Sequence, residues 1–122
     1  MNKNLILTAI IGALTIILGA FGAHTLEDIL TADQLKSFET AVRYQMFHVL
    51  ALLFVNTYSA FNSKTKNTIS VLFFIGILFF SGSIYAITLG VNAKTIWFIT
   101  PIGGLLFVIG WLKMALSFYK KE

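Results

Sequence analysis

His24 and His48 are the only imidazoles in the chain. Two neutral imidazoles can ligate haem or a metal ion, or bind a quinone. The other side chains with chemistry to offer near them are Arg43, Tyr44, Ser81, Ser83, Tyr85 and Thr100, a set of hydroxyls with one guanidinium. The absence of Cys removes thiolate nucleophiles, disulfides and Cys metal sites together. There is no phosphate-binding glycine loop, no HExxH, no GxSxG and no pair of carboxylates on one helix face. The expectation is a protein that is not an enzyme, with no catalytic residue, metal or cofactor assigned.

The elements that must position these residues follow from composition. Of 122 residues, 57% are hydrophobic and 11% charged, with 12 Phe, against about 45–50% and 25% in a soluble domain. So few charges cannot coat a water-facing surface, and the chain reads as a membrane protein. A hydrocarbon core of ~30 Å needs about 20 apolar residues in a helix. Four stretches qualify, at residues 5–23, 44–61, 68–91 and 95–119, the last interrupted only by Lys113, which can snorkel. Their lengths suit helices rather than strands. The predicted fold is all-α and integral to the membrane: a single domain of four antiparallel transmembrane helices with a short interfacial helical segment between the first two. No Asp or Glu lies inside a span, which excludes a carboxylate proton relay at mid-depth. Lys3, the apolar run and the small residues Ala20, Gly22 and Ala23 also resemble a signal peptide. The run is longer than a usual signal core, so the first span is expected to stay on the chain.

Lys3, Lys64, Lys66, Lys113, Lys120 and Lys121 fall on the face carrying both ends, with Glu122. The opposite face has Lys36, Arg43 and Lys94 together with Glu27, Asp28, Asp33 and Glu39. The excess of Lys predicts that both termini are cytoplasmic in a bacterial-type inner membrane. The net charge of +4 is thus topological, and no nucleic-acid partner is implied.

Membrane helices associate where small residues let backbones approach. Gly12 and Gly19, then Gly76, Ser83 and Gly90, then Gly103, Gly110 and Ser117 recur at seven-residue steps in spans 1, 3 and 4, with Thr8 and Thr15 beside the first stripe. Such a period predicts left-handed crossings near +20°. Span 2 has no glycine; Gln45, His48 and Asn56 share one arc of about 60° and read as polar glue. In the first connection Thr25 with Asp28 and Thr31 with Gln34 read as helix caps, the second as a capping box. A short turn at 26–30 and a helix from about Ala32 into span 2 follow, with Glu39 and Arg43 as an ion pair on its surface.

Counting along antiparallel helices collects His24, Arg43, Tyr44, His48, Ser81, Ser83, Tyr85 and Thr100 in the outer half of the bundle. Tyr44, His48, Ser81, Ser83 and Thr100 are expected to face one another, with His24 and Arg43 at the rim. Pro101 is expected to free a carbonyl that Ser81, Ser83 or Thr100 re-satisfies. The strings GAFGAH (19–24), YQMFH (44–48), FSGSIY (80–85), TPIGG (100–104) and GW (110–111) resemble the small membrane family known as domain of unknown function 423, the YgdD-like proteins. The resemblance covers all four spans in order. It implies a four-helix integral membrane protein without an assigned activity, and it brings no catalytic residues with it.

The leading expectation is an accessory or packing subunit, or a binder of lipid or a small hydrophobic molecule in the outer half. The alternative is a haem, metal or quinone site built on His24 and His48, and a third class, a small channel, lacks polar stepping stones. Membrane lipids are the expected partners. Phe73, Phe74, Phe79 and Phe80 exceed what one span can point inward, so a second copy or another membrane protein is expected on some face.

Overall fold

The computed structural model describes residues 2–120; Met1, and the Lys121 and Glu122 counted in the charge balance, lie outside the described residues. The elements are α1 (Lys3–His24), a 3₁₀ turn (Leu26–Asp28), α2 (Ala32–Thr57), α3 (Ser63–Thr88), α4 (Ala93–Ile96) and α5 (Ile99–Tyr119), with no strand among the described residues. By length and composition α1, α3 and α5 could cross a membrane. Helix α2 is long enough, at 26 residues, but Arg43, Gln45, His48 and Asn56 leave it too polar to qualify on the same measure.

The helix ends have local causes. Thr31 accepts from Gln34 N–H while the Gln34 side chain accepts from Thr31 N–H, the reciprocal capping box that starts α2. Asn62 caps α3 by accepting from Thr65 N–H. Thr25, by contrast, is no cap: its backbone continues in the right-handed helical region and its side chain accepts nothing. Glu39 and Arg43 form no ion pair among the described residues; Arg43 is exposed, where such a pair gains little. Span 2 ends at Thr57 rather than at residue 61, and Phe61 folds back from the following turn into the core.

Two further expectations are corrected. Pro101 sits in the first turn of α5, because the chain breaks at Trp97 and Phe98 before that helix begins. First-turn N–H groups have no intrahelical acceptor, so the missing donor costs nothing there, and no side chain is needed to repair it. Gly90 is not a packing glycine. It follows α3 with φ +117, a conformation that side chains disfavour, and nothing lies within 4 Å of where its Cβ would be.

The helices pack in chain order, α1 on α2, α2 on α3 and α3 on α5, while α1 and α3 diverge above their first turn. Along α1 and α2, Asn4 meets Asn56, Gly12 faces Val49, Thr15 meets Gln45, Gly19 faces Val42 and Gly22 faces Phe38. One number rises as the other falls by intervals that match to within one residue, as an antiparallel pair in constant register requires. The α3 and α5 pair keeps the same discipline with larger side chains. Phe73 lies against Gly110, Gly76 against Phe107, Phe80 against Gly103, and Ser83 against Thr100.

Each Phe of that seam therefore faces a hydrogen where another residue would carry a Cβ. A Cβ on Gly76 would come within 2.6 Å of the Phe107 ring, and one on Gly103 would strike the backbone of Phe80. At Gly12 and Gly19 of α1 the margins are wider, with Val49 at 3.3 Å and Val42 at 3.5 Å from the Cβ positions, whereas a Gly22 Cβ would come within 2.8 Å of the Phe38 ring. None of Phe73, Phe74, Phe79 and Phe80 is exposed: Phe73 and Phe80 lie in the seam with α5, and Phe74 lines the space beside α1.

Gly103→Ala is expected to cost about 1–3 kcal/mol, since rigid backbone cannot yield as a side chain can. Gly19→Ala, and Gly82→Ala beside open space, should be neutral or slightly stabilising. Melting in mild detergent checks the order; equal losses at all three positions would contradict the seam.

Candidate functional site

The polar residues of α2 do not converge on one centre; they form separate ties to each neighbouring helix. In the first, Tyr85 donates to Gln45 Oε1 (2.7 Å), Gln45 Nε2 donates to Thr15 Oγ1 (2.8 Å), and Thr15 donates to the Ile11 carbonyl (2.7 Å). This chain runs in one direction from α3 through α2 to α1 and ends on a backbone acceptor. Gln45 is buried, and so is Thr15.

His48 makes the second tie. Its Nδ1 lies 2.7 Å from the Tyr44 carbonyl and its Nε2 lies 3.0 Å from Trp111 Nε1. A carbonyl can only accept and an indole N–H can only donate. Both bonds therefore require the neutral tautomer with its proton on Nδ1. The ring stacks on Phe107 at 3.6 Å and meets Phe73 and Trp111 edge-on. Both nitrogens are engaged, leaving no lone pair for a ligand.

Ser83 and Thr100 share a hydrogen bond between α3 and α5, and Ser83 also donates to the Phe80 carbonyl (3.1 Å). Ser81 donates to the Ala41 carbonyl on α2 (2.8 Å). Tyr44 is half out of the bundle, its ring against Phe47 and Phe80. Arg43 and His24 are both exposed. The single face-to-face cluster expected for Tyr44, His48, Ser81, Ser83 and Thr100 thus resolves into pairs whose partners are mostly other residues.

A joint site on His24 and His48 is ruled out by register. Gly22 faces Phe38, so the end of α1 lies near the start of α2. His48 is further along α2 by a distance on the order of 15 Å. Counting residues from helix ends located the outer half but not the depth at which each side chain sits.

The sequence reading overlooked Trp111 as a partner for His48 and Gly22 as a contact for Phe38. An indole N–H inside an apolar helix is itself a signal, since it needs an acceptor in lipid. It also overlooked the knot at the other end. Asn4 Nδ2 donates to Asn56 Oδ1 and Asn67 Oδ1, both at 3.0 Å, and Asn56 Nδ2 donates to Ser70 Oγ (2.8 Å) and the Leu52 carbonyl (2.9 Å). Among the described residues no buried side-chain nitrogen or oxygen lacks a partner.

Two openings adjoin these polar groups. One is an apolar cleft of about 530 Å³ between α1 and α3, walled by Leu7, Ile11, Leu14, Leu18, Phe74 and Leu78, with Gln45 and Tyr85 also on its lining. The other is a polar pocket of about 300 Å³ where α1 and α3 begin.

The His48 and Trp111 contact is testable by a double-mutant cycle with His48→Phe and Trp111→Phe in detergent. Coupling of roughly 0.6 to 1.7 kcal/mol is expected for an interhelical hydrogen bond in a membrane protein. Strict additivity would contradict the contact.

Comparison with known proteins places the chain. The family model described as protein of unknown function, DUF423, matches residues 18–104. A UPF0382 membrane protein of Haemophilus influenzae is 42% identical over 99% of this chain and 97% of its own. Another from Staphylococcus saprophyticus is 43% identical over 98% and 99%. No solved structure matches the chain significantly. Over nearly its whole length, this chain belongs to the DUF423 family of membrane proteins.

Proposed function

We propose that the chain is a four-span, non-catalytic protein of the bacterial-type plasma membrane, with both termini cytoplasmic, that holds a lipid tail in the cleft between α1 and α3. Support for α2 as the fourth span comes from its register. It lies antiparallel between α1 and α3 from Phe38 to Asn56, about 27 Å of helix. A helix packed along that length between two spanning neighbours shares their depth, and its polar groups are tolerable there because they are bonded. Arg43, exposed near the outer end, can reach the headgroups along its aliphatic stem. Helical spans suit the inner membrane, and the Lys excess at the chain ends and the second connection favours that face as cytoplasmic.

The observation that carries the binding role is the cleft. Its walls are almost wholly apolar, it opens sideways, and it runs from Leu7 to Leu18 along α1, roughly 16 Å. One leaflet of hydrocarbon is about 15 Å deep, so the cleft has the length and direction of an acyl chain. The polar groups of α2 are bonded internally and make no comparable offer.

Gly82 lines the cleft, and a Cβ there would meet only the Leu78 side chain, at an ordinary 3.8 Å, so Gly82→Phe should fill the cleft without a clash at its own backbone. Native mass spectrometry with added dioleoylphosphatidylcholine is expected to show a retained lipid on the original protein, lost in Gly82→Phe at unchanged melting temperature. Equal retention would contradict the reading, and a protein-protein complex lost on the same substitution would assign the cleft to a second copy.

A further inference from the structure

The polar pocket lies where α1 and α3 begin and α2 ends, lined by Asn2, Asn4, Asn56, Ser63, Lys66 and Asn67. Among the described residues no carboxylate lines it, and neither α1 nor α3 has an acidic residue in its first turn. Lys66 is half-buried, and its ammonium forms no ion pair or hydrogen bond among the described residues. Asn67 accepts from Asn4 through Oδ1, which fixes its amide and leaves its N–H₂ without an acceptor among the described residues. Ser63 adds a hydroxyl. The pocket therefore presents an ammonium, an oriented amide donor and a hydroxyl, with excess positive charge from Lys3 and Lys64 on the same end. That donor set matches the oxygens of a phosphate ester. The pocket gives way to the cleft along shared helix faces, from Asn4 to Leu7 and Ile11 on α1 and from Asn67 to Phe74 on α3.

We infer that this pocket binds the anionic phosphate headgroup of a lipid, with Lys66 as the charge and Asn67 as the oriented donor. The inference rests on the tail-binding reading above and adds selectivity for net negative headgroups. A zwitterionic lipid brings its own cation and gains less from Lys66. One ammonium close to an anionic headgroup is worth roughly fivefold in affinity.

The test is native mass spectrometry of the full chain in mild detergent with dioleoylphosphatidylglycerol and dioleoylphosphatidylcholine in competition. The original protein should prefer phosphatidylglycerol. Lys66→Gln should lower that preference roughly fivefold, Lys66→Arg should keep most of it, and Asn67→Asp should abolish it. In all three, phosphatidylcholine should still bind through its tails, so loss of headgroup selectivity is separable from loss of the cleft. Absence of preference in the original protein, or a preference unchanged by Lys66→Gln, would overturn the inference. So would an equal effect of Lys64→Gln, which would mark a diffuse surface charge. Suppression of the preference by millimolar inorganic phosphate would reassign the pocket to free phosphate and overturn the lipid assignment.

Discussion

A polar group in hydrocarbon has no water to fall back on, so each one must find its partner inside the protein. That constraint organises this molecule around α2, the helix with the most polar side chains and no glycine. Gln45 reaches Thr15 and Tyr85, His48 reaches Trp111, and Asn56 reaches Asn4 and Ser70. One helix thereby contacts the other three long helices through polar side chains bonded inside the protein. Moving α2 to the edge of the bundle would orphan these groups. Individually such bonds add little in a membrane, about 0.6 kcal/mol on average; their effect is on which helix sits where.

The remaining contacts are set by shape. Between α3 and α5 each Phe is matched by a glycine or each hydroxyl by a hydroxyl, so close backbones and large rings occupy the same seam. Helix α1 is held differently. Among the described residues it buries only Thr8, Thr15 and Gly22, the last two against α2, and bonds to α3 only through Asn4 at its start. Above that cross-link the two helices part, which is why the cleft exists and why its mouth adjoins the polar pocket. The cleft proposed to hold lipid is the consequence of a helix fastened at one end and along one face.

Much of the fold was legible because its signals are local. Apolar run lengths marked α1, α3 and α5, and Thr31 with Gln34 marked the start of α2. The stripe through Gly76, Gly103 and Gly110 was legible because small residues at a seven-residue step share a face. Gly90 broke the same pattern since a period cannot tell a packing glycine from the one that ends a helix. The polar centres were harder to read. Spacing fixes the face of a residue on its own helix, but partnership depends on the register between helices. Gln45 and His48 share an arc, yet one turns to Thr15 and Tyr85 and the other to Trp111. The asparagine knot draws on residues far apart in sequence and follows no helical period.

The account stands on α2 crossing the membrane between its neighbours, and the chain's lack of cysteine makes single-cysteine accessibility a clean probe. Leu50, mid-helix and 56% exposed toward the surroundings of the bundle, distinguishes lipid from water most directly. With a membrane-impermeant maleimide on intact cells and on inverted vesicles, Leu50→Cys is expected to stay unlabelled in both. Ser37→Cys should react only on cells and Ser63→Cys only on inverted vesicles. Labelling of Leu50→Cys, or of Ser37→Cys and Ser63→Cys from the same side, would contradict a spanning α2.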